Sequence, residues 1–216
     1  MRCDDLVRLG NDNDGGYLVN QADLSRTQLL VSMGVGNDWR FEQQFCQQVG
    51  CPVQAYDPDV NTDCAERREF FTDPNRLDLL KVSNVSSDTT VTVAEILAGR
   101  SNVFLKCDIE GGEYDIFQDL LDTRQAWTGM VMEVHDIDQW DNYNTITNFI
   151  SKCGLQLVHL HVNNWGYWNI DGNVVPRFLE ITLSSAHNMR YDSSLTLPHQ
   201  LDMPNNAKDT EFAMNF

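Results

Sequence analysis

The sequence is short of positive charge. Its 216 residues include 15 Lys and Arg against 32 Asp and Glu, a net charge of −17. The cations are scattered and form no basic block. That argues against nucleic acid as a partner, because backbone-driven binding needs clustered cations, and it disfavours an anionic membrane surface for the same reason. No apolar run approaches the ~20 residues of a membrane span, and the start, MRCDDLVRLG, lacks the apolar core of a signal peptide. The six cysteines (Cys3, Cys46, Cys51, Cys64, Cys107, Cys153) contain no CxxC pair, which argues against a zinc finger or a thiol redox motif. Cys46 and Cys107 fall in an expected helix and strand, so most of the six read as buried thiols. No internal repeat, GxSxG or Cys–His signature is present. A cytoplasmic chain is the default; a lumenal or secreted fragment of a longer protein, carrying the sequon Asn84-Val85-Ser86, is the alternative. Small neutral substrates such as sugars, or cationic ones, remain open, and oligomeric state is not readable.

What is present starts with residues 29–57, LLVSMGVGNDWRFEQQFCQQVGCPVQAYD. The apolar run Leu29 to Met33 ends in Gly34-Val35-Gly36. Phe41, Phe45 and Val49 then recur at helical spacing, Gly50 is placed to stop the helix, and a second apolar run ends on Asp57. The pattern is strand, glycine turn, helix, strand, acid. Glycines let the backbone approach a ligand, the helix start offers free N–H groups, and an acid at the second strand tip can accept ribose hydroxyls. The third glycine of the G-x-G-x-x-G dinucleotide fingerprint is missing; Trp39 stands there. A bulky indole leaves little room for a pyrophosphate, which favours a cofactor without one, such as S-adenosylmethionine, over NAD or FAD. An ordinary βαβ unit is the bland alternative.

Strand and helix alternate along most of the chain, which predicts an α/β domain with a mainly parallel sheet flanked by helices. Residues 1–27 read as a lead-in in which NDNDGGYLV forms a turn and a short strand. It is either a plain hairpin or a flap that brings Asp14, Gly15 and Tyr17 near the cofactor. The main domain spans 28–184 and a polar tail 185–216. Residues 63–69 suit a helix and 68–72 a strand; Thr92 and Glu95 have capping-box spacing before a helix over 92–98. NVFLKC (102–107) predicts a strand followed by the helix start IEGGEYDIFQDLL. Residues 129–134 predict another strand, 140–152 a helix, 155–161 and 178–183 the last strands, and 162–176 an Asn-, Gly- and Trp-rich loop.

Ionisable residues gather at the carboxyl ends of these strands: Asp57, then Asp108 and Glu110, then Glu133 and His135, then His159 and His161. In an open parallel sheet such ends converge on one crevice. His135 is a candidate general base, oriented by Asp108 or Glu133. The same Asp108, Glu133 and His135 are candidate ligands for a divalent ion such as manganese, iron or zinc. The bland alternative makes Asp108 a helix cap and His135 a loop residue. His161, Asn163, Asn164 and Trp165 offer the hydrogen bonds and stacking face of a sugar or polyol site, or else a polar turn with a core Trp. Glu180, inside the last apolar strand, needs a partner such as His161 if buried.

Taken together, DGGYLV (14–19), VSMGVGNDWRFE (31–42), AYDPD (55–59), LKCDIEGGEYDIF (105–117), MEVHD (132–136) and HLHVNNW with VPRFLEITL (159–183) resemble the FkbM-type S-adenosylmethionine-dependent methyltransferases. The resemblance covers roughly residues 8–183, and DIEGGE is its most specific piece. It implies a Rossmann-like, seven-stranded class I methyltransferase fold with an antiparallel C-terminal strand, and methyl transfer, commonly to a hydroxyl of a small molecule or glycan. By position, Gly34 and Gly36 line the methionine part of the cofactor, Asp57 holds the ribose, and Asp108 lies beside the transferred methyl. Glu110 and Glu113 belong to the signature. Asn37-Asp38 departs from the glycine that many methyltransferases have after this turn. Two other readings stand beside it: a non-catalytic sugar-binding module on this fold, and an NAD-dependent oxidoreductase, against which Trp39 speaks.

Overall fold

The computed structural model describes residues 3–61, 63–171, 173–188, 190 and 196–215. The expected tail 185–216 therefore lies partly outside the described residues, at 189, 191–195 and 216. A hairpin opens the chain, β1 (Leu6–Gly10) against β2 (Gly16–Asn20), followed by the single-turn helix α1 (Gln21–Leu24). Then come β3 (Leu29–Met33), α2 (Arg40–Val49) and β4 (Val53–Tyr56), the strand–turn–helix–strand unit that the sequence predicts. α3 (Ala65–Phe70) is helical where helix and strand signals competed. Short strands β5 (Arg76–Asp78), β6 (Lys81–Val82) and β7 (Thr90–Val91) lead to α4 (Val93–Leu97), which carries the expected capping box between Thr92 and Glu95. β8 (Val103–Cys107), α5 (Glu113–Thr123), β9 (Trp127–Val134) and α6 (Trp140–Lys152) follow. A long hairpin, β10 (Gln156–Ile170) and β11 (Asn173–Ser184), and the small pair β12 (Thr196–Leu197) and β13 (Met214–Asn215) complete the chain.

Seven strands form one sheet in the order β10-β11-β9-β8-β3-β4-β5. β11 is antiparallel to both of its neighbours and every other pair is parallel. β3 lies at the reversal of strand order, with β4 and β5 to one side and β8 and β9 to the other, which is where a ligand crevice opens. β8 and β9 are buried throughout, as strands covered on both faces must be. α4, α5 and α6 cover one face through Ile96, Ile116, Phe117, Leu120, Ile146 and Phe149. α2 and the N-terminal hairpin cover the other through Phe41, Phe45, Leu9, Tyr17 and Val19. Phe41 and Phe45 are 1% and 0% exposed, and each buried ring contributes roughly 1.5–3 kcal/mol. Gly50 ends α2 in the left-handed region at φ +72°.

The structure differs from the sequence expectation of a loop over 162–176: residues 162–170 and 173–176 lie in the two arms of the β10–β11 hairpin. Trp165, Tyr167, Trp168 and Ile170 are exposed there. Val162, Asn163 and Asn164 are buried and Trp165 and Tyr167 to Ile170 are exposed, so neither a period-2 apolar alternation nor a continuous apolar run marks this part of β10 in the sequence.

Candidate active site

Gly34 sits where β3 and β8 end side by side. Its φ is +80°, and a Cβ there would come within 1.7 Å of the Asp108 carbonyl oxygen, so only glycine lets the two strand ends approach. The turn is braced by Asp57. Its Oδ2 accepts the backbone N–H groups of Val35 and Gly36, each at 2.8 Å, and its Oδ1 accepts Asp59 N–H at 2.8 Å. A carboxylate has about four acceptor sites, so Asp57 keeps one on Oδ1. Arg67 closes the outer side of the turn, donating to the Gly36 carbonyl at 3.0 Å while its guanidinium lies 4.8 Å over the Trp39 ring. That stack accounts for the indole at the third fingerprint position.

Beneath the turn is a buried lysine. Lys106 Nζ donates to the Gly34 carbonyl at 2.5 Å and lies 3.7 Å from Glu42 Oε1, which accepts the Ser32 hydroxyl at 2.6 Å. Burial works against the ammonium, but the pull of Glu42 and Asp108 prevails and its pKa is raised. Burial raises the Glu42 carboxyl, with Lys106 and Ser32 pulling it back. Sequence reasoning missed this pair; the available signal was one charge inside the apolar strand NVFLKC, which has to find a partner once buried.

Tyr17, carried in by the β1–β2 hairpin, donates its hydroxyl to Asp108 Oδ2 at 3.0 Å. The hairpin thus reaches the crevice. Asp14 and Gly15 lie in its turn. Burial raises the Asp108 carboxyl, opposed by Lys106, His135 and the Tyr17 bond. After Asp108 the chain turns through Glu110 at φ +56° and Gly111 at φ +91° into α5. A left-handed glutamate is uncommon, and it carries the Glu110 carboxylate out over the end of β9.

There it meets His135. The imidazole Nδ1 is 3.1 Å from Glu113 Oε1, and Nε2 is 3.5 Å from Glu110 Oε2 and 3.8 Å from Glu133 Oε1. Glu113 also accepts Ile109 N–H at 3.0 Å, so its carboxylate is fixed from two sides. An Nδ1–H given to Glu113 leaves Nε2 on the side of the Glu110 and Glu133 carboxylates. Burial lowers the His135 pKa, but the Glu113 bond and the charges of Glu113, Asp108 and Glu110 outweigh it and raise it.

The expected metal set separates in the structure. Asp108, Glu110 and His135 bring ligand atoms within 4.8 Å of one another, whereas Glu133 groups with Asp14 and Glu180. Glu133 and Glu180 are directly opposed on β9 and β11, and His161 opposes Glu180 on β10. His161 is the partner that Glu180 requires: Nδ1 lies 2.9 Å from Glu180 Oε2 and Nε2 3.1 Å from Glu211 Oε1. Burial opposes its charge, but the two carboxylates raise its pKa to about 10.

The two asparagines do not offer free amides. Asn163 Nδ2 donates to Glu133 Oε1 at 2.8 Å and its Oδ1 accepts Trp165 N–H at 2.9 Å. Asn164 is buried, donating to the Asn206 carbonyl at 3.1 Å and accepting Asn206 N–H at 2.7 Å. It anchors the C-terminal segment, which the polar composition of 185–216 did not announce. His159 does the same through Asp202 Oδ1 at 2.9 Å. Of the expected acceptor residues, Trp165 remains open, 58% exposed on the hairpin arm.

A sheet in this order with one antiparallel strand next to the edge, a glycine turn after the first strand, an acid after the second and a crevice at the switch point define a class I S-adenosylmethionine-dependent methyltransferase. A model of the FkbM methyltransferase domain matches residues 24–157, more than half of the chain, and the chain belongs to that family. Membership sets aside the NAD-oxidoreductase and non-catalytic readings.

No curated protein matches the sequence. Solved structures similar to it include an S-adenosylmethionine-dependent methyltransferase from Clostridium acetobutylicum (7% identity, 76% of this chain and 86% of that one, TM-score 0.47). A precorrin-6y C5,15-methyltransferase from Geobacter metallireducens is 11% identical over 76% of this chain and 86% of that one, TM-score 0.44. A 1,6-didemethyltoxoflavin-N1-methyltransferase from Burkholderia thailandensis is 12% identical over 76% and 73%, TM-score 0.44. Likenesses this distant add nothing to what the strand order and the family model establish. Among the described residues, no helix is long and apolar enough to cross a membrane.

Proposed function

We propose that the enzyme transfers a methyl group to a hydroxyl oxygen of a small molecule or glycan, with His135 as the general base. The observation that carries this reading is the His135–Glu113 bond, which fixes the imidazole and turns Nε2 toward Glu110, in the group that also includes Asp108. S-adenosylmethionine supplies an electrophilic methyl on a sulfonium. The chain's own residues have three tasks: to hold the cofactor, to place the acceptor oxygen in line, and to take the hydroxyl proton as that oxygen attacks.

The residues present fit the cofactor. The turn at Gly34 and Gly36 admits a close backbone approach, Asp57 retains an acceptor site for a ribose hydroxyl, and Asp108 with its Tyr17 partner faces the methionine end. Asp14 and Gly15 lie on the same hairpin. His135 Nε2 receives the acceptor proton, and Glu110 Oε2, at 3.5 Å, stabilises the imidazolium that forms. The exposed indole of Trp165 offers a stacking face to a sugar ring, while His161, Asn163 and Asn164, each held by a partner within the fold, support the strand that carries it. The convergence of Asp108, Glu110 and His135 favours one second reading, in which a divalent ion held by these three acidifies the hydroxyl.

The test incubates the enzyme with methyl-deuterated S-adenosylmethionine and a panel of hydroxylated small molecules and glycans, and follows label by mass spectrometry. Label on an oxygen, with turnover lowered ~10²–10⁴-fold in His135→Asn and cofactor affinity held within threefold, is the expected result. Label confined to nitrogen or carbon acceptors, or unchanged turnover in His135→Asn, removes the reading. Loss of all activity on chelation in the wild type, with a loss in both His135→Asn and Glu110→Gln that added divalent metal rescues, moves proton removal to the ion.

A further inference from the structure

Four separate parts of the chain meet at the second carboxylate cluster. Asp14 comes from the turn of the N-terminal hairpin, Glu133 from β9, Glu180 from β11 and Asn205 from the C-terminal segment. The carboxylate oxygens of Asp14, Glu133 and Glu180 lie within 4.8 Å of one another. Glu133 and Glu180 are 7% and 4% exposed and directly opposed across the strands, an arrangement that two like charges destabilise. No Lys or Arg among the described residues pairs with any of the three; the nearby lysine, Lys106, is engaged by Glu42. His161 faces Glu180, and His135 and Asn163 face Glu133.

The second observation is Asn205. It is 4% exposed, and its side-chain amide reaches into the cluster, 2.5 Å from Glu180 Oε1 and 3.4 Å from Asp14 Oδ1. Its own carbonyl oxygen, Oδ1, is buried with no hydrogen-bond partner among the described residues, a costly condition for a buried polar atom. The two ends of an amide have nearly the same shape. A half-turn about the last side-chain bond exchanges them and presents Oδ1 to the two carboxylates. Burial, with the charges of Asp108 and Glu180, pushes the Glu133 carboxyl well above its ordinary range; once a cation displaces that proton the cluster offers four oxygens, three of them from carboxylates, which is the donor set that hard divalent cations take.

We propose that Asp14, Glu133, Glu180 and Asn205 form a binding site for a hard divalent cation, of the calcium, magnesium or manganese class. The ion staples the N-terminal hairpin and the C-terminal segment to the carboxyl ends of β9 and β11. It neutralises the opposed Glu133–Glu180 pair, and by holding the hairpin it holds Tyr17 on Asp108. This site is distinct from the Asp108, Glu110 and His135 group and does not depend on which acceptor is methylated.

The test uses the full chain stripped with chelator and titrated with MnCl2 or CaCl2. Calorimetry and thermal unfolding read binding, and trypsin cleavage after the exposed Lys208 reads closure of the C-terminal segment. The expected result is saturable binding of an ion that raises Tm by several degrees and slows cleavage after Lys208 at least fivefold. Glu180→Gln weakens the affinity at least tenfold, Asn205→Ala several-fold, and Glu110→Gln leaves it within twofold. Asp14 is on an exposed turn, so Asp14→Asn gives the same readout if Glu180→Gln fails to fold. The absence of any ion-dependent change in the wild type overturns the proposal. So does binding that survives in Glu180→Gln and Asp14→Asn but is lost in Glu110→Gln.

Discussion

Residues in the crevice work in contact with one another, and single substitutions should show it. Gly34→Ala places a methyl in the Asp108 carbonyl at a positive φ. It should destabilise the enzyme by more than about 2 kcal/mol in urea unfolding and abolish cofactor binding, whereas Gly36→Ala, with open space around it, should cost about 1 kcal/mol. Equal losses at the two positions would show that strand approach is not what Gly34 provides. Lys106→Met leaves Glu42 buried without its cation and should cost roughly 3–5 kcal/mol; the Lys106→Met, Glu42→Leu double variant should recover most of that loss. A double variant as unstable as the sum of its singles would mean that Lys106 acts through the Gly34 carbonyl and not through Glu42. Gly34, Asp57, Asp108 and His135 were legible in the sequence because glycine and acid at strand ends have a mechanical meaning there. Lys106 and Glu42 were not, because their pairing joins α2 to β8 across 64 positions of chain with no local pattern.

Legibility of the elements followed the same division. α2, α4 and α6 were readable because each has an apolar face at helical spacing and a local stop or start: Gly50 for α2, the Thr92–Glu95 box for α4. The β10–β11 arms were not, since the residues they bury, Asn163 and Asn164 among them, are polar, while several exposed ones are aromatic. The C-terminal segment was not either; Asp202, Asn205, Asn206 and Glu211 look like solvated polar residues until their partners on β10 and β11 are known. This element should respond to acid. Burial opposes the Asp202 carboxylate, but the His159 bond and the charges of His159 and His161 prevail, and its pKa is held below the ordinary 3.8. A depressed folded pKa contributes stability that is present above the unfolded value and is lost as pH falls through the folded one. The unfolding free-energy difference between wild type and Asp202→Asn should therefore be largest near neutrality and shrink below pH 3.8. A difference that does not change with pH would show that His159–Asp202 is not an ionic anchor.

The molecule as a whole carries a charge of −17, and its functional end concentrates part of that charge. Asp14, Asp57, Asp108, Glu110, Glu113, Glu133 and Glu180 all gather at the carboxyl ends of the sheet, with Lys106, Arg67, His135 and His161 as the basic residues described beside them. Self-repulsion at this charge is screened by salt, so Tm should rise between 20 and ~200 mM sodium chloride; a falling Tm would mean that attractive pairs dominate. The sheet order that makes this convergence possible followed from the sequence, because alternating strands and helices allow few topologies. The convergence of the two termini on that end did not, since no local pattern encodes contacts between residues 14 and 205.

The central claim is that the braced glycine turn and Asp57 form the cofactor site. Calorimetric titration of S-adenosylhomocysteine into the wild type and Asp57→Asn tests it most directly. The wild type should bind one-to-one, and Asp57→Asn, which loses the carboxylate acceptor of Val35 and Gly36, should bind at least tenfold more weakly. Equal affinity in the two proteins, or no binding by a folded wild type, would contradict it.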